Sequence, residues 1–314
     1  MPKASVIIPT YNRSDRLPAT IASVLAQSEG DFELIVVDDG STDNTRAAVG
    51  AVADPRVHYL YKPNGGPASA RNYGLAGAKG TYVAFLDHDD LWPPNFLEVM
   101  IAALEAKPEF GLAYAPITVQ FDDGSRIESY KKPIGKTGWL AIDLFLHSFV
   151  WTSAIVIRRE ALKDFHYDES LRRSYEDGDF FLRLSARTPY LFVGGVEAMK
   201  TEHTRNLSRE VGVQPTRILV LERFYYELGG HEMIPATVAR RRLGHACRAV
   251  AEVKRRQRAR TAALTLYRRA ISYWPFDWRL YPGLGRTLLL GGRADPEPHW
   301  RMPDPLPRIG RGGH

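Results

Sequence analysis

The sequence predicts an α/β protein that has a mostly parallel central sheet with helices on both faces, followed by a helical C-terminal appendage. Short apolar runs alternate with helix-like stretches through the first 110 residues, which is typical of βαβ units. These runs are continuously apolar, as expected of strands that are covered on both faces. Beyond residue 215 the pattern is helical and rich in Arg and Ala.

Strands and helices alternate regularly up to residue 110. Apolar, β-branched runs predict four strands, at residues 5–9, 32–37, 57–61 and 82–86. Helical spacing predicts helices at residues 13–27, 42–53 and 67–78, and a fourth from Pro93-Pro94 to about residue 107. Proline suits a first helical turn because the amide hydrogen that it lacks has no partner there.

After residue 110 the pattern changes. We expect a long strand at 111–121, a hairpin turn at 122–125 with a return strand, and a helix at 139–147. A strand at 153–158, a helix at 175–186 and a strand at 190–201 complete one mixed domain over residues 1–210. Residues 211–290 then form a basic helical region. Residues 291–314 lack apolar periodicity and are expected to be a disordered tail.

The composition is that of a soluble globular protein. The 314 residues are 44% hydrophobic and 25% charged, which argues against wholesale disorder. No stretch approaches the roughly 20 apolar residues that span a bilayer, and no secretory signal follows Met1. The single Cys247 fits a reducing compartment, so we expect a cytoplasmic protein.

Positive charge is concentrated towards the C-terminal end. Residues 1–216 hold 23 basic and 28 acidic side chains, whereas residues 217–286 hold 15 basic and 5 acidic ones. The basic segment is open to two interpretations: a solvated helical face, or peripheral contact with an anionic membrane at the inner face of the plasma membrane. Nucleic acid is not indicated, because no recognised binding module accompanies the charge. A homodimer through these helices also stays open.

Four polar clusters lie where ligands of open α/β sheets bind, beyond the carboxyl ends of strands. They cover residues 9–12, 38–41, 65–72 and 87–90. The sequence has neither a GxGxxG nor a GxxxxGK[ST] phosphate loop. Asp87, Asp89 and Asp90 instead offer hard oxygen ligands, which suit Mg²⁺ or Mn²⁺ bridging a diphosphate.

These clusters resemble the motifs of family 2 glycosyltransferases of the GT-A fold. The matching segments read VIIPTYN at 6–12, VVDDGSTD at 36–43, ARN-x-G at 70–74 and FLDHDD at 85–90. The resemblance covers residues 3–210. It implies an inverting, metal-dependent transferase of the hexosyltransferase type, with a nucleotide and metal half at 1–110 and an acceptor half at 111–210. The family suggests a setting in bacterial cell-surface polysaccharide or glycoconjugate biosynthesis.

The resemblance also implies roles for individual residues. The nucleotide-base pocket is matched by Pro9, Tyr11, Asp39 and Arg71. Asp87 and Asp89 match the DxD motif, in which Asp87 faces the ribose or the metal and Asp89 ligates the metal, with Asp90 as a helper. His203 matches a histidine that reaches the metal or diphosphate, and Thr152 and Ser153 border the sugar.

On the acceptor side, Glu176 and Asp177 match an acidic pair in which Asp177 is the general base. Asp179 competes for that role. A nucleotide-diphospho-sugar is the implied donor, and an aspartate such as Asp39 in the base pocket favours UDP or dTDP. The implied acceptor is a hydroxyl of a saccharide or lipid-linked saccharide.

Two other functions stay open. A sugar nucleotidyltransferase shares the Rossmann-like core and the acidic metal ligands, but residues 11–16 lack the glycine that its first loop needs. A catalytically silent nucleotide- or carbohydrate-binding subunit is the second alternative. The intact DxD motif and the acidic pair argue against it.

Overall fold

The computed structural model describes residues 1–121, 123–127, 135–171, 175–202 and 215–289. The chain divides into two compact units. The first comprises Met1–Leu140 and His147–Arg209, and the second comprises Ala141–Leu146 and Glu210–His314. The helix predicted near residue 140 therefore groups with the second unit. The functional halves assigned from the resemblance remain a prediction.

The first unit contains a large and a small β-sheet. The strands of the large sheet are β1 (Ala4–Thr10), β2 (Phe32–Asp38), β3 (Val57–Tyr61), β4 (Tyr82–Phe85), β5 (Leu112–Tyr114), β8 (Ile155–Arg158) and β9 (Tyr190–Phe192). Those of the small sheet are β6 (Ile117–Phe121), β7 (Arg126–Ile127) and β10 (Ala198–Glu202). The large sheet has the order β3-β2-β1-β4-β8-β5-β9. Only β8 runs antiparallel to its neighbours there, so the mostly parallel sheet is confirmed.

Helices cover both faces of the large sheet, as predicted. Those of the first unit are α1 (Leu17–Leu25), α2 (Thr45–Gly50), α3 (Pro67–Gly77), α4 (Phe96–Glu105) and α6 (Glu176–Leu184), and α5 (Ala141–Leu146) belongs to the second unit. Val6 and Ile8 join one core with residues of α1 and α4. Ile7 points to the opposite face, since side chains alternate along a strand, and there it contacts α3. The fourth helix begins at Phe96, after the two prolines rather than at them.

Two of the predicted strands are wrong, because each is broken into two strands in different sheets. Residues 111–121 form β5 and β6. Pro116 lies between them, where it has no amide hydrogen to give to either ladder. Residues 190–201 form β9 and β10 with a turn between them, in which Gly195 adopts a φ of 82°. Glycine enters this left-handed region without steric cost, so the chain can turn there, between the end of β9 at Phe192 and the start of β10 at Ala198.

The second unit is helical. Besides α5 it contains α7 (Thr216–Tyr226), α8 (Gly230–Met233), α9 (Ala236–Arg256), α10 (Arg260–Tyr273) and α11 (Leu280–Leu288). The buried Glu222 accepts hydrogen bonds from Arg269 Nε (2.9 Å) and Tyr273 Oη (2.7 Å). In the part of the chain that the structure describes, no helix is both long and apolar enough to cross a bilayer. The tail predicted at 291–314 lies outside the described residues.

Candidate active site

Arg71 in α3 holds together three carboxylates that come from two distant parts of the sequence. Its Nη2 lies 2.8 Å from Asp87 Oδ1, and its Nη1 lies 2.8 Å from Asp177 Oδ1 and 3.5 Å from Glu176 Oε1. The Tyr167 ring covers it, with its centroid 5.2 Å from the guanidinium carbon. Only 4% of the Arg71 side chain is exposed. A cation buried this deeply needs counter-charges, and the three carboxylates supply them.

The topology explains how these groups meet. β1, β2 and β4 are parallel, so Asp87, two residues beyond β4, lies at the carboxyl edge of the sheet, where ligands bind. Arg71 comes from the first half of α3, which starts at the same edge after β3. Glu176 and Asp177 open α6, where free backbone amides and the helix dipole favour negative charge.

Tyr175 and Gly178 shape the start of α6. Tyr175 precedes the helix in the left-handed region, with a φ of 64°. Its ring lies over Gly178, since a Cβ atom there would stand 2.5 Å from Tyr175 Cζ. A glycine at this position therefore leaves room for the tyrosine ring beside the acidic pair.

The carboxylates of α6 differ in access and in proton affinity. Burial and the neighbouring Asp177 raise the pKa of Glu176 to about 7, against the opposing charge of Arg71. Burial also raises the pKa of Asp177, although Arg71 acts against it and Asp87 adds to it. The side chain of Asp177 is 38% exposed and that of Glu176 is 11% exposed. Asp179 is 1% exposed and pairs with Arg183 at 2.6 Å.

Ser153 ties the DxD segment together from the loop before β8. Its Oγ accepts a hydrogen bond from the Asp87 amide (3.1 Å) and donates one to Asp90 Oδ2 (2.6 Å). The Thr201 amide donates to Asp90 Oδ1 (3.0 Å). Burial raises the pKa of Asp90 to about 8, with Asp89 and Asp87 adding to the effect. Both Asp90 oxygens thus have partners inside the protein, and the residue is only 3% exposed, so Asp87 and Asp89 are the better candidates for a cation.

Lys200 in β10 is a candidate site residue that the sequence reasoning missed. The adjacent Met199 exchanges two backbone hydrogen bonds with Leu91 (2.8 and 2.9 Å), and these fix Lys200 next to the DxD segment. Burial lowers the pKa of Lys200, but the aspartates at 87–90 and Glu202 outweigh it and raise the pKa above its usual value. Lys200 therefore keeps its positive charge beside the acidic cluster. In the sequence, only its place as a lysine within a predicted strand marks Lys200.

The Asp39 carboxylate is held by the loop that leads into α3. Its Oδ1 accepts hydrogen bonds from Lys62 Nζ (2.7 Å) and the Gly65 amide (2.9 Å), and its Oδ2 accepts one from the Gly66 amide (2.7 Å). A carboxylate oxygen has two acceptor positions, and the hydrogen bond from Gly66 occupies one of those on Oδ2, in a side chain that is 5% exposed. Lys62 is a second residue that the sequence reasoning missed, and no motif marks it. Tyr11, 39% exposed, follows β1 at this same edge.

Pro9 and His88 form a further contact at this edge. His88 Nδ1 lies 3.1 Å from the Pro9 carbonyl oxygen. Because a carbonyl oxygen only accepts, His88 carries a proton on Nδ1. The His88 ring thus donates its hydrogen bond to β1, although the residue stands between the two DxD aspartates in sequence. Thr152 is buried in the short 3₁₀ turn before β8.

The DxD carboxylates suit a cation that arrives with a diphosphate. In the described parts of the chain, no group of three His, Cys, Asp or Glu side chains is placed to hold a metal ion. Mg²⁺ is commonly bound by one or two carboxylates, with phosphate oxygens and water in the other positions. Asp87, whose side chain is 35% exposed, and Asp89 fit that arrangement. His203 lies outside the described residues.

The sequence model of the family described as "Glycosyl transferase family 2" matches residues 5–165, about half of the chain. The chain belongs to this family. The matched range of the glycosyltransferase includes the candidate base pocket, Arg71 and the DxD segment. The acidic pair of α6 lies beyond it.

Curated relatives of this glycosyltransferase come from several bacteria. An uncharacterised glycosyltransferase from Rickettsia typhi is 34% identical over 193 residues, which cover 59% of this chain and 60% of the relative. A putative teichuronic acid biosynthesis glycosyltransferase, TuaG, from Bacillus subtilis is 38% identical over 132 residues, covering 41% of this chain and 52% of TuaG. Three other Rickettsia relatives are matched over only 15–17% of their length.

Solved structures confirm the GT-A fold. S. aureus TarS in complex with UDP-GlcNAc superposes with a TM-score of 0.60 at 20% identity, covering 89% of this chain and 91% of that chain. The mannosyltransferase PcManGT from Pyrobaculum calidifontis, in complex with GDP-Man and Mn²⁺, gives a TM-score of 0.55 at 18% identity. That match covers 92% of this chain and 87% of PcManGT.

Proposed function

We propose that this family 2 glycosyltransferase moves a sugar, with inversion, from a nucleotide-diphospho-sugar to a hydroxyl group of a saccharide or lipid-linked saccharide. One observation carries the proposal: the buried Arg71 bridges Asp87 of the DxD segment and Asp177 of α6. The Arg71 guanidinium thereby sets the distance between Asp87 on the proposed donor side and Asp177 on the proposed acceptor side. Sugar transfer requires this, because both substrates must meet at one anomeric carbon.

Asp177 is the general base in this proposal. In an inverting displacement the acceptor oxygen bonds to the anomeric carbon while the bond to the diphosphate breaks, and the acceptor proton passes to a base. Asp177 is the most accessible carboxylate of α6, and its raised pKa strengthens it as a proton acceptor. Asp179 is fixed by Arg183 inside the protein. Arg71 orients the Asp177 carboxylate for the acceptor.

The departing nucleoside diphosphate needs positive charge. Asp87 and Asp89 would hold Mg²⁺ or Mn²⁺, which, when bound, stabilises the charge that develops on the diphosphate. Lys200 adds a fixed positive charge in the same region, where a preorganised cation is most effective. The lysine also limits repulsion between the aspartates and the incoming phosphates.

The candidate base pocket favours UDP or dTDP. The remaining acceptor position on Asp39 Oδ2 suits the ring N–H of uracil or thymine, and Lys62 with the two glycine amides keeps the carboxylate in place. TarS was solved with UDP-GlcNAc and PcManGT with GDP-Man, which supports a nucleotide-sugar donor in general. TuaG supports a setting in bacterial cell-surface polysaccharide biosynthesis.

Asp177→Asn tests the proposal, with Asp31→Asn as the matched control. Asp31 is an exposed aspartate just before β2, at the opposite edge of the sheet. With a panel of UDP-, dTDP- and GDP-sugars, Asp177→Asn should lower the transfer rate by about 100-fold or more. It should keep the thermal shift that nucleoside diphosphate and Mn²⁺ produce.

Three results would contradict the proposal. A near-normal transfer rate in the folded Asp177→Asn variant would show that Asp177 is not the general base. Pyrophosphate release from a nucleoside triphosphate and a sugar phosphate would identify a nucleotidyltransferase. Nucleotide binding without turnover across a broad acceptor panel would identify a silent binding subunit.

A further inference from the structure

The second unit carries a cluster of exposed apolar side chains, which we call the aromatic patch. Its members are Phe276, Trp278, Tyr281 and Leu288, which are 79%, 74%, 49% and 53% exposed. They lie in α11 and in the loop that joins α10 to α11. Single exposed apolar residues are ordinary on a protein surface, but four of them between residues 276 and 288 point to a binding surface.

Helix α11 has two different apolar faces. Leu280, Gly283 and Thr287 are its buried residues, and they pack inside the unit. Tyr281, Leu284 and Leu288 repeat the same i, i+3, i+7 spacing one residue later, which places them about 100° further around the helix. Only Leu284 of this second set is half-buried. The helix thus has an apolar stripe beyond the one it uses for packing.

Asp277 holds the loop of the patch in a fixed shape. The side chain is 4% exposed, and its oxygens lie 2.8 Å from Arg279 Nε and 2.9 Å from Arg248 Nε. Tyr281 Oη donates a hydrogen bond to the Pro275 carbonyl (2.7 Å). Because Asp277 points inward, the aromatic residues on either side of it are presented outward, without the entropy cost of ordering a flexible loop.

The surroundings of the patch are positively charged. Residues 260–289 contain five arginines and one acidic residue, Asp277, which is buried and paired. Arg268, Arg279 and Arg286 are exposed. Such a combination of aromatic and leucine side chains with arginines complements an anionic lipid surface, where the apolar groups enter the headgroup boundary and the cations meet phosphates.

We propose that the aromatic patch docks this glycosyltransferase onto the surface of an anionic membrane. Charge complementarity selects this occupant. A nucleic acid could bind the arginines and stack on the aromatic rings, but it has no apolar surface to cover Leu284 and Leu288. The membrane contact is independent of the catalytic proposal, because all of its residues lie in the second unit.

Vesicle sedimentation of the full chain tests the inference. We expect wild-type protein to pellet with phosphatidylcholine vesicles that contain phosphatidylglycerol, and much less with phosphatidylcholine alone or at high salt, because salt screens the arginines. Phe276→Ser with Trp278→Ser should weaken binding by at least about tenfold. Arg286→Gln should weaken binding only to the anionic vesicles. Trp139→Ser is the control, since Trp139 is 64% exposed and lies in the first unit.

The substituted side chains are exposed, so an unchanged unfolding midpoint will show that the double variant folds. The proposal is overturned if wild-type protein binds neither type of vesicle, or if the double variant binds as wild type does. It is equally overturned by tight binding to a DNA duplex without vesicle binding. A wild-type dimer that the double variant breaks, seen by light scattering, would assign the patch to a second copy of the chain.

Discussion

Replacing Arg71 with leucine should destabilise the first unit by about 3 kcal/mol at neutral pH, the low end for breaking a buried pair, because two of the three carboxylates that lose their cation are partly exposed. Each of the two ion pairs at 2.8 Å contributes ~6 kcal/mol of attraction at an effective dielectric constant of about 20. The cost of removing Arg71 from water offsets much of that attraction. What remains in the variant is the cost of keeping Glu176 nearly buried, and Asp87 and Asp177 partly buried, without a cation.

The loss of unfolding free energy in Arg71→Leu should increase with pH. Without Arg71, nothing on α3 opposes the burial that raises the pKa of Glu176 and Asp177. A carboxyl group whose native pKa lies above its unfolded value destabilises the native state at high pH, and the loss is relieved as falling pH protonates it. The deficit should therefore be larger near pH 8 than near pH 5.

Urea unfolding followed by circular dichroism, with a metal chelator present, measures the effect. Arg187→Leu is the control, since Arg187 is exposed and contacts no carboxylate in the described residues: its Nη1 reaches a backbone carbonyl at 3.4 Å, and its guanidinium lies over the Phe165 ring at 5.1 Å. Its midpoint should hardly change. A deficit below about 1 kcal/mol for Arg71→Leu, the range of an exposed ion pair, or an equal deficit at both pH values would refute the reasoning.

Three further variants test other parts of the first unit. Gly178→Ala should lower transfer more than stability, because the new methyl group displaces the Tyr175 ring beside the acidic pair; unchanged kcat would contradict this. Lys200→Met should lower kcat by about 100-fold and tighten Mn²⁺ binding in calorimetry, and weaker Mn²⁺ binding would count against the assigned charge. Hydrogen bonds from Thr45 and Ser14 outweigh burial and lower the pKa of Asp43 to about 2. Asp43→Asn should therefore cost up to about 1 kcal/mol at pH 7, since the group is exposed. The stability difference between wild type and Asp43→Asn should shrink below the unfolded pKa of 3.8 as the pH approaches 2. A difference in urea midpoints that stays constant over this pH range would contradict the prediction.

Local patterns predicted the elements that depend on local chemistry. The strand at 57–61 is observed with the same bounds, although its residues are only half-buried or exposed. Helix α3 differs by one residue, because Pro67 fixes its start. The breaks at Pro116 and Gly195 were missed. Neither segment shows in its own sequence which sheet each half joins. That is decided by distant partners: β5 pairs with β8 and β9, whereas β6 pairs with β7 and β10.

The candidate site was predictable as a set of residues but not as an arrangement. The order and spacing of motifs singled out Asp39, Arg71, Asp87 and Asp177 as candidates, and the structure brings the last three together. The bridge made by Arg71 joins residues more than 100 positions apart, and no local pattern encodes such a contact. Lys200 was overlooked for the same reason, since its acidic neighbours come from another part of the chain.

The antiparallel strand β8 has a consequence for how the protein is made. β1 to β4 all precede residue 86 and pair with one another in the order β3-β2-β1-β4. On the ribosome these strands can assemble while residues 155–158 have yet to be synthesised. Until β8 arrives, β4 presents an open edge, which is a template for pairing with another nascent chain. A fragment that ends before β8 should therefore aggregate more readily than the full chain.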